Sequence, residues 1–109
     1  MPTTYKVLGQ VKPTAATDTT LYTVPASTQA VISTLNVSSL TNDLTTIRIA
    51  VRPAGAAIED KNYLVYNNTI SGYATAQFTL GITLGATDVV TVYDTAGKCA
   101  FNLFGSEIS

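Results

Sequence analysis

Short β-branched stretches punctuated by Pro, Gly and Asn-Asp run the length of this chain. Over 5–11, Tyr5, Val7 and Val11 share one parity against Lys6 and Gln10 on the other, the period-two pattern of a half-buried strand, and Pro13 ends it. A short strand over 20–24 stops at Pro25, and a third over 29–37 is apolar at Val31, Ile32, Leu35 and Val37. After a turn at 41–43, the segment 45–52 divides into Ile47, Ile49 and Val51 on one side and Arg48, Ala50 and Arg52 on the other. The stretch 53–61 reads as a loop with room for one helical turn but no convincing N-cap, and a strand over 62–67 follows.

The sharpest alternation lies over 76–84, where Phe78, Leu80, Ile82 and Leu84 oppose Gln77, Thr79, Gly81 and Thr83. Gly85-Ala86-Thr87 turns the chain into a strand over 88–93, and 94–97 has the chemistry of a second turn. The last strand, over 99–104, places Cys99, Phe101 and Leu103 on one parity.

About eight strands at intervals of about 8–12 residues, with no helical period, predict an all-β fold: an antiparallel β-sandwich, jelly-roll-like or immunoglobulin-like. A length of 109 residues suits one core, and no repeat, low-complexity tract or linker divides it, so 1–109 is read as a single β-sandwich domain.

Composition sharpens that picture. Charged residues make up only 12%, about half the usual share, and threonine takes their place on the exposed sides of strands. A net charge of −1 gives no electrostatic footprint for a phosphate backbone, which argues against a nucleic-acid partner. So uncharged a surface does little to keep copies apart, and it predicts a homo-oligomer or an embedded subunit. No stretch approaches a membrane span or a signal peptide, so the mature chain is read as the whole chain with no membrane partner.

Candidate chemistry is sparse. The chain has no histidine, which removes the commonest general base and metal ligand, and one thiol cannot build a zinc site. Cys99 shares its parity with Phe101 and Leu103 and is read as a small core hydrophobe rather than a nucleophile. Glu59-Asp60 is the one adjacent acid pair, while Asp18, Asp43, Asp88 and Asp94 fall mostly in turns, where turn chemistry explains them better than calcium. The expectation is a non-enzyme with no catalytic, cofactor or metal residues. A single cysteine also precludes an intrachain disulfide and fits assembly in a cytosol.

Interface candidates are clearer. Arg48 and Arg52 share a strand face, either solvated and ion-paired across the sheet or offered to a partner. The chain also has six tyrosines, more than so small a core should want, and Tyr favours interfaces. The candidates are Arg48, Arg52, Tyr5, Tyr22, Tyr63, Tyr66 and Tyr73, with Tyr93 the remaining tyrosine. Tyr63-Leu64-Val65-Tyr66 could instead line a sugar platform, although such platforms usually include Trp and this chain has none.

Several strings carry a resemblance. Leu21-Tyr22-Thr23-Val24-Pro25-Ala26, Ile47 to Gly55, Thr79 to Leu84 running on to Asp88-Val89-Val90, and Phe101 to Ile108 are similar to small structural proteins of tailed bacteriophages, cyanophages especially. The resemblance covers nearly the whole chain. It implies a β-sandwich virion subunit in multiple copies, assembled in the host cytoplasm, with other virion proteins (major capsid or tail proteins) as partners. A capsid decoration or cement role, in a homo-oligomer such as a trimer, stands ahead of a tail, baseplate or fibre position, with glycan binding behind both. The N-terminal arm 1–4 and the C-terminal 105–109 are expected to reach onto a neighbour.

Overall fold

A computed structural model describes residues 3–109, apart from the side chain of Leu80. Eight strands follow the punctuation of the sequence: β1 Thr3–Val11, β2 Thr19–Thr23, β3 Gln29–Ser39, β4 Thr45–Arg52, β5 Tyr63–Ile70, β6 Thr75–Leu84, β7 Val89–Asp94 and β8 Cys99–Ile108. They form two four-stranded sheets, ordered β1-β8-β3-β6 (sheet A) and β2-β7-β4-β5 (sheet B), with antiparallel pairing throughout.

That order is a long hairpin rolled up. The pairs β1 with β8, β2 with β7, β3 with β6 and β4 with β5 nest outward from one turn, and the rungs alternate between sheets. It is the jelly-roll arrangement, which selects between the two sandwiches the pattern allows.

Inward-facing side chains of both sheets fill the space between. Ile32, Leu35, Val37, Phe101 and Leu103 of sheet A meet Ile47, Ile49, Val90 and Val92 of sheet B, all essentially inaccessible. At about 25 cal/mol per Å² of apolar surface removed from water, this layer is the main favourable term in a fold with no disulfide. Gly9 closes one side: a Cβ there would sit 2.2 Å from the Leu21 carbonyl oxygen, so the edges of the two sheets approach through a residue without a side chain.

The loops pair by end. At one end Ala16 N–H donates to Asp94 O, Leu40 N–H to Lys98 O and Tyr73 N–H to Thr41 O. At the other, Val24 N–H donates to Asp88 O, and Ala54 N–H to the Asp88 carboxylate at 2.9 Å.

Three expectations need correction. The pairing register of β1 against β8 shifts between Val7 and Gly9, so the parity read over 5–11 is broken. Tyr5 and Val7 lie on the outside, 82% and 48% exposed, while Leu8 and Val11 pack on the core. A shift in β3 between Ile32 and Thr34 likewise moves burial from Ala30 and Ile32 to Leu35 and Val37.

The chain ends are not free arms either. Thr3 pairs with Ile108, and Gly105 to Ile108 belong to β8, bonded on both sides by β1 and β3, while Met1 and Pro2 lie outside the described residues. In the loop 53–62 two 3-10 turns form, Pro53–Gly55 and Asp60–Asn62, and Asn62 caps the second by accepting from the Glu59 N–H at 2.7 Å. On β6, Leu84 is buried and Phe78 and Ile82 pack on the core as the alternation predicts; the side chain of Leu80 lies outside the described residues.

Candidate interaction surfaces

Sheet B presents an arginine-tyrosine cluster outward. Arg48 pairs with Tyr93 across β4 and β7, and its guanidinium carbon lies 4.4 Å from the Tyr93 ring centre and 4.5 Å from that of Tyr66. Arg48 Nε donates to Asn67 Oδ1 at 2.7 Å. Arg52 Nε donates to Thr91 Oγ1 at 3.1 Å, and its Nη1 to Ala56 O at 3.3 Å. Neither arginine has an ion-pair partner among the described residues. Stacking on aromatic faces, worth about 0.5–1 kcal/mol at an exposed site, takes the place of the cross-sheet ion pair.

Tyr63 and Tyr66 have opposite parity, yet both join this face. Two irregularities in the β4–β5 register permit it: two residues of β5 answer one of β4 at Leu64, and Asn67 adopts a left-handed backbone with φ 53°. The two rings stand edge to face, 4.9 Å between centres and 76° between planes, and with Asp60 they line a cavity of about 400 Å³.

The outer face of sheet A has another character. Residues in register across its strands form rows: Tyr5, Ser106, Val31 and Thr83; then Val7, Phe104, Thr34 and Thr79; then four amides, Gln10, Asn102, Asn36 and Gln77; then Ala100, Ser38 and Thr75. No charged residue occurs in these rows. Lys6 and Glu107 lie on the opposite parity, where they pair with each other at 2.7 Å and Glu107 accepts from Tyr22 of sheet B. Tyr5, Val7, Val31, Ser33, Phe104 and Ser106, with Lys6 and Gly105, line a shallow groove of about 620 Å³ on this side, where Lys6 is the one charged residue.

A third exposed patch sits at one end. Leu40, Leu44 and Tyr73 are 47%, 65% and 72% exposed, and the 2.8 Å bond from Tyr73 N–H to Thr41 O brings their loops together. Tyr73 adopts a left-handed backbone, φ 56°, an uncommon conformation for a large side chain.

The sequence-predicted candidates therefore divide. Arg48, Arg52, Tyr63 and Tyr66 come together on sheet B, Tyr5 lies on sheet A, and Tyr73 caps one end. Tyr22 is corrected: it is 7% exposed, a core residue whose ring is buried and whose hydroxyl is held by Glu107. Burial first, then the bond and charge of Glu107, push the Tyr22 phenol well above its ordinary range. Tyr93, outside the chosen candidates, belongs to the cluster through a cross-strand pairing that local pattern cannot reveal.

The titratable groups in the interior serve structure. Asp94 is fully buried and accepts from the Thr45 hydroxyl and from the backbone N–H groups of Ala96 (3.2 Å), Lys98 (2.6 Å) and Cys99 (2.7 Å). Burial alone would raise its carboxyl, but these four donors outweigh that and hold it below the ordinary range. Cys99 is inaccessible, and burial, with the neighbouring Asp94 charge, pushes its thiol up to about 12. Asp88 likewise serves its turn, accepting from Gly85 N–H at 2.8 Å. Among the described residues no three acidic or thiol side chains converge as a metal site would require. No family model and no curated protein matches the chain.

Proposed function

We propose that this chain is a non-enzymatic structural subunit of a tailed-phage particle, present in many copies as a capsid decoration or cement protein. The observation that carries the reading is the uncharged outer face of sheet A, four strands wide, with Tyr5, Val7, Val31 and Phe104 along one half and an amide ladder along the other. A partner can cover such a face while meeting only one ion, Lys6 at its edge, already paired with Glu107, and so avoids most of the costly step in burying polar surface. The amides Gln10, Asn102, Asn36 and Gln77 each donate and accept, so they can satisfy a neighbouring polar backbone or a second amide row.

Two further points support the reading. The sequence resembles small virion proteins, and jelly rolls recur in capsid and lectin domains, an argument from fold analogy alone. The interior carboxylate and thiol are committed to a turn and a core, which leaves the surface as the place where the chain acts.

The partners on this reading are the major capsid or tail proteins and further copies of the chain. The apolar end at Leu40, Leu44 and Tyr73 gives a second contact, suited to a tail, baseplate or fibre neighbour, and it motivates that position as the alternative. Counting the chain by mass spectrometry in purified particles and locating it with gold-labelled antibody tests the proposal. High copy number on the head is expected, labelling confined to the tail would select the alternative, and absence from particles would reject both.

A further inference from the structure

We propose that the corner formed by Asp60, Tyr63 and Tyr66 is a binding site for an uncharged carbohydrate, of one or two pyranose units. The site is complete within one chain and does not depend on the chain belonging to a particle.

The geometry supplies the surface. The two rings stand edge to face at 76° with their centres 4.9 Å apart, and with Asp60 they line a cavity of about 400 Å³. Binding cavities for small molecules start at about 300 Å³. A pyranose has an apolar face of axial C–H groups and an equatorial rim of hydroxyls, so its face stacks on a tyrosine ring while its rim meets the Asp60 carboxylate and the tyrosine hydroxyls. Asp60 forms no salt bridge among the described residues, and its carboxylate is free to accept.

Charge selects the ligand class. A pair of tyrosines beside a carboxylate also suits an organic cation, but the Arg48 guanidinium already lies 4.5 Å from the centre of the Tyr66 ring, and a second cation there would be repelled. A phosphate or carboxylate ligand would be repelled by Asp60. A wholly apolar ligand would desolvate the carboxylate with nothing to satisfy it. A neutral polyol with one apolar face meets each of these conditions. The two bulges of β5, an edge strand, put both rings on one side.

A broad array of neutral and charged mono- and oligosaccharides, followed by saturation-transfer NMR of the hits with the intact chain, tests the site. The expected result is transfer to ring C–H protons of a neutral sugar, abolished in Tyr63→Ala, retained in Tyr63→Phe and weakened at least about tenfold in Asp60→Ala. Amide spectra verify that each variant is folded, and Asp60→Ala, at an exposed turn, serves should Tyr63→Ala fail to fold. Binding of no neutral sugar on the array, binding unaffected by both Tyr63→Ala and Asp60→Ala, or saturation of tetramethylammonium in preference to sugars would overturn the assignment.

Discussion

The hydroxyl of Tyr22 donates to the carboxylate of Glu107 at 2.5 Å, joining β2 of one sheet to β8 of the other across 85 residues of chain. Lys6 reaches the same carboxylate from β1, so one acid gathers three strands at the open edge of the roll. Bonding from Lys6 first, then from Tyr22, holds Glu107 below the ordinary carboxylate range. Tyr22→Phe keeps the ring in the core and removes only the donor. It is expected to cost about 1–2 kcal/mol in urea unfolding and to move the Glu107 titration, followed by NMR, upward. An unchanged titration would show that the bond contributes nothing in solution.

Asp94 gives the chain an acid limit. Its folded carboxyl is depressed, as is that of Glu107, so both contribute stability that is fully present above the ordinary carboxylate pKa and is lost as pH falls through the depressed folded values. Unfolding free energy is therefore expected to be flat near neutrality and to drop below about pH 4. Asp94→Ala strands the Lys98 and Cys99 N–H donors and should cost about 3 kcal/mol while flattening that acid dependence. A variant with the original acid slope would contradict the assignment.

Cys99 should be inert in the folded chain. A thiol pushed up to about 12 and shielded from solvent carries about a thousandfold less thiolate than a free cysteine at the same pH. Alkylation by iodoacetamide at pH 8 is expected only through global opening, its rate rising with urea in step with unfolding. Rapid labelling of the native protein would mean that β8 opens on its own.

Gly9 lets the edges of the two sheets approach where a side chain would not fit. Gly9→Ala places a methyl group against the Leu21 carbonyl, with backbone on both sides and no flexible end to yield, and should destabilise by about 1–3 kcal/mol. A melting temperature equal to that of the parent would show that β1 and β2 can part without loss.

How much of this was legible beforehand follows from what local pattern can carry. The position of β4 and the outward side of Arg48 and Arg52 follow from strict alternation with no bulge in the β4–β7 pairing. The burial of Cys99 with Phe101 and Leu103 follows in the same way. The faces of β1 and β3 do not, because register shifts at Leu8 and Ser33 reverse parity; Gly9 and Gly81 border these shifts, but a glycine within a strand does not by itself say which way the register moves. Tyr22 looked like a surface ring because its partner, Glu107, lies 85 positions away. The meeting of Tyr93 with Arg48, and of Tyr63 with Tyr66, likewise depends on pairing and bulges that no single segment encodes.

The central claim is that the uncharged face of sheet A is covered by a neighbour in the assembled particle. Asn102→Lys and Gln77→Lys each place a charge within the amide row, while Thr17→Lys, in an exposed loop, serves as the control. Occupancy of each variant on particles, measured by quantitative mass spectrometry in competition with the unaltered chain, is the most direct measurement. The two face variants are expected to lose at least about tenfold in occupancy while folding normally and the control to match the parent; equal occupancy of all four chains would contradict the account.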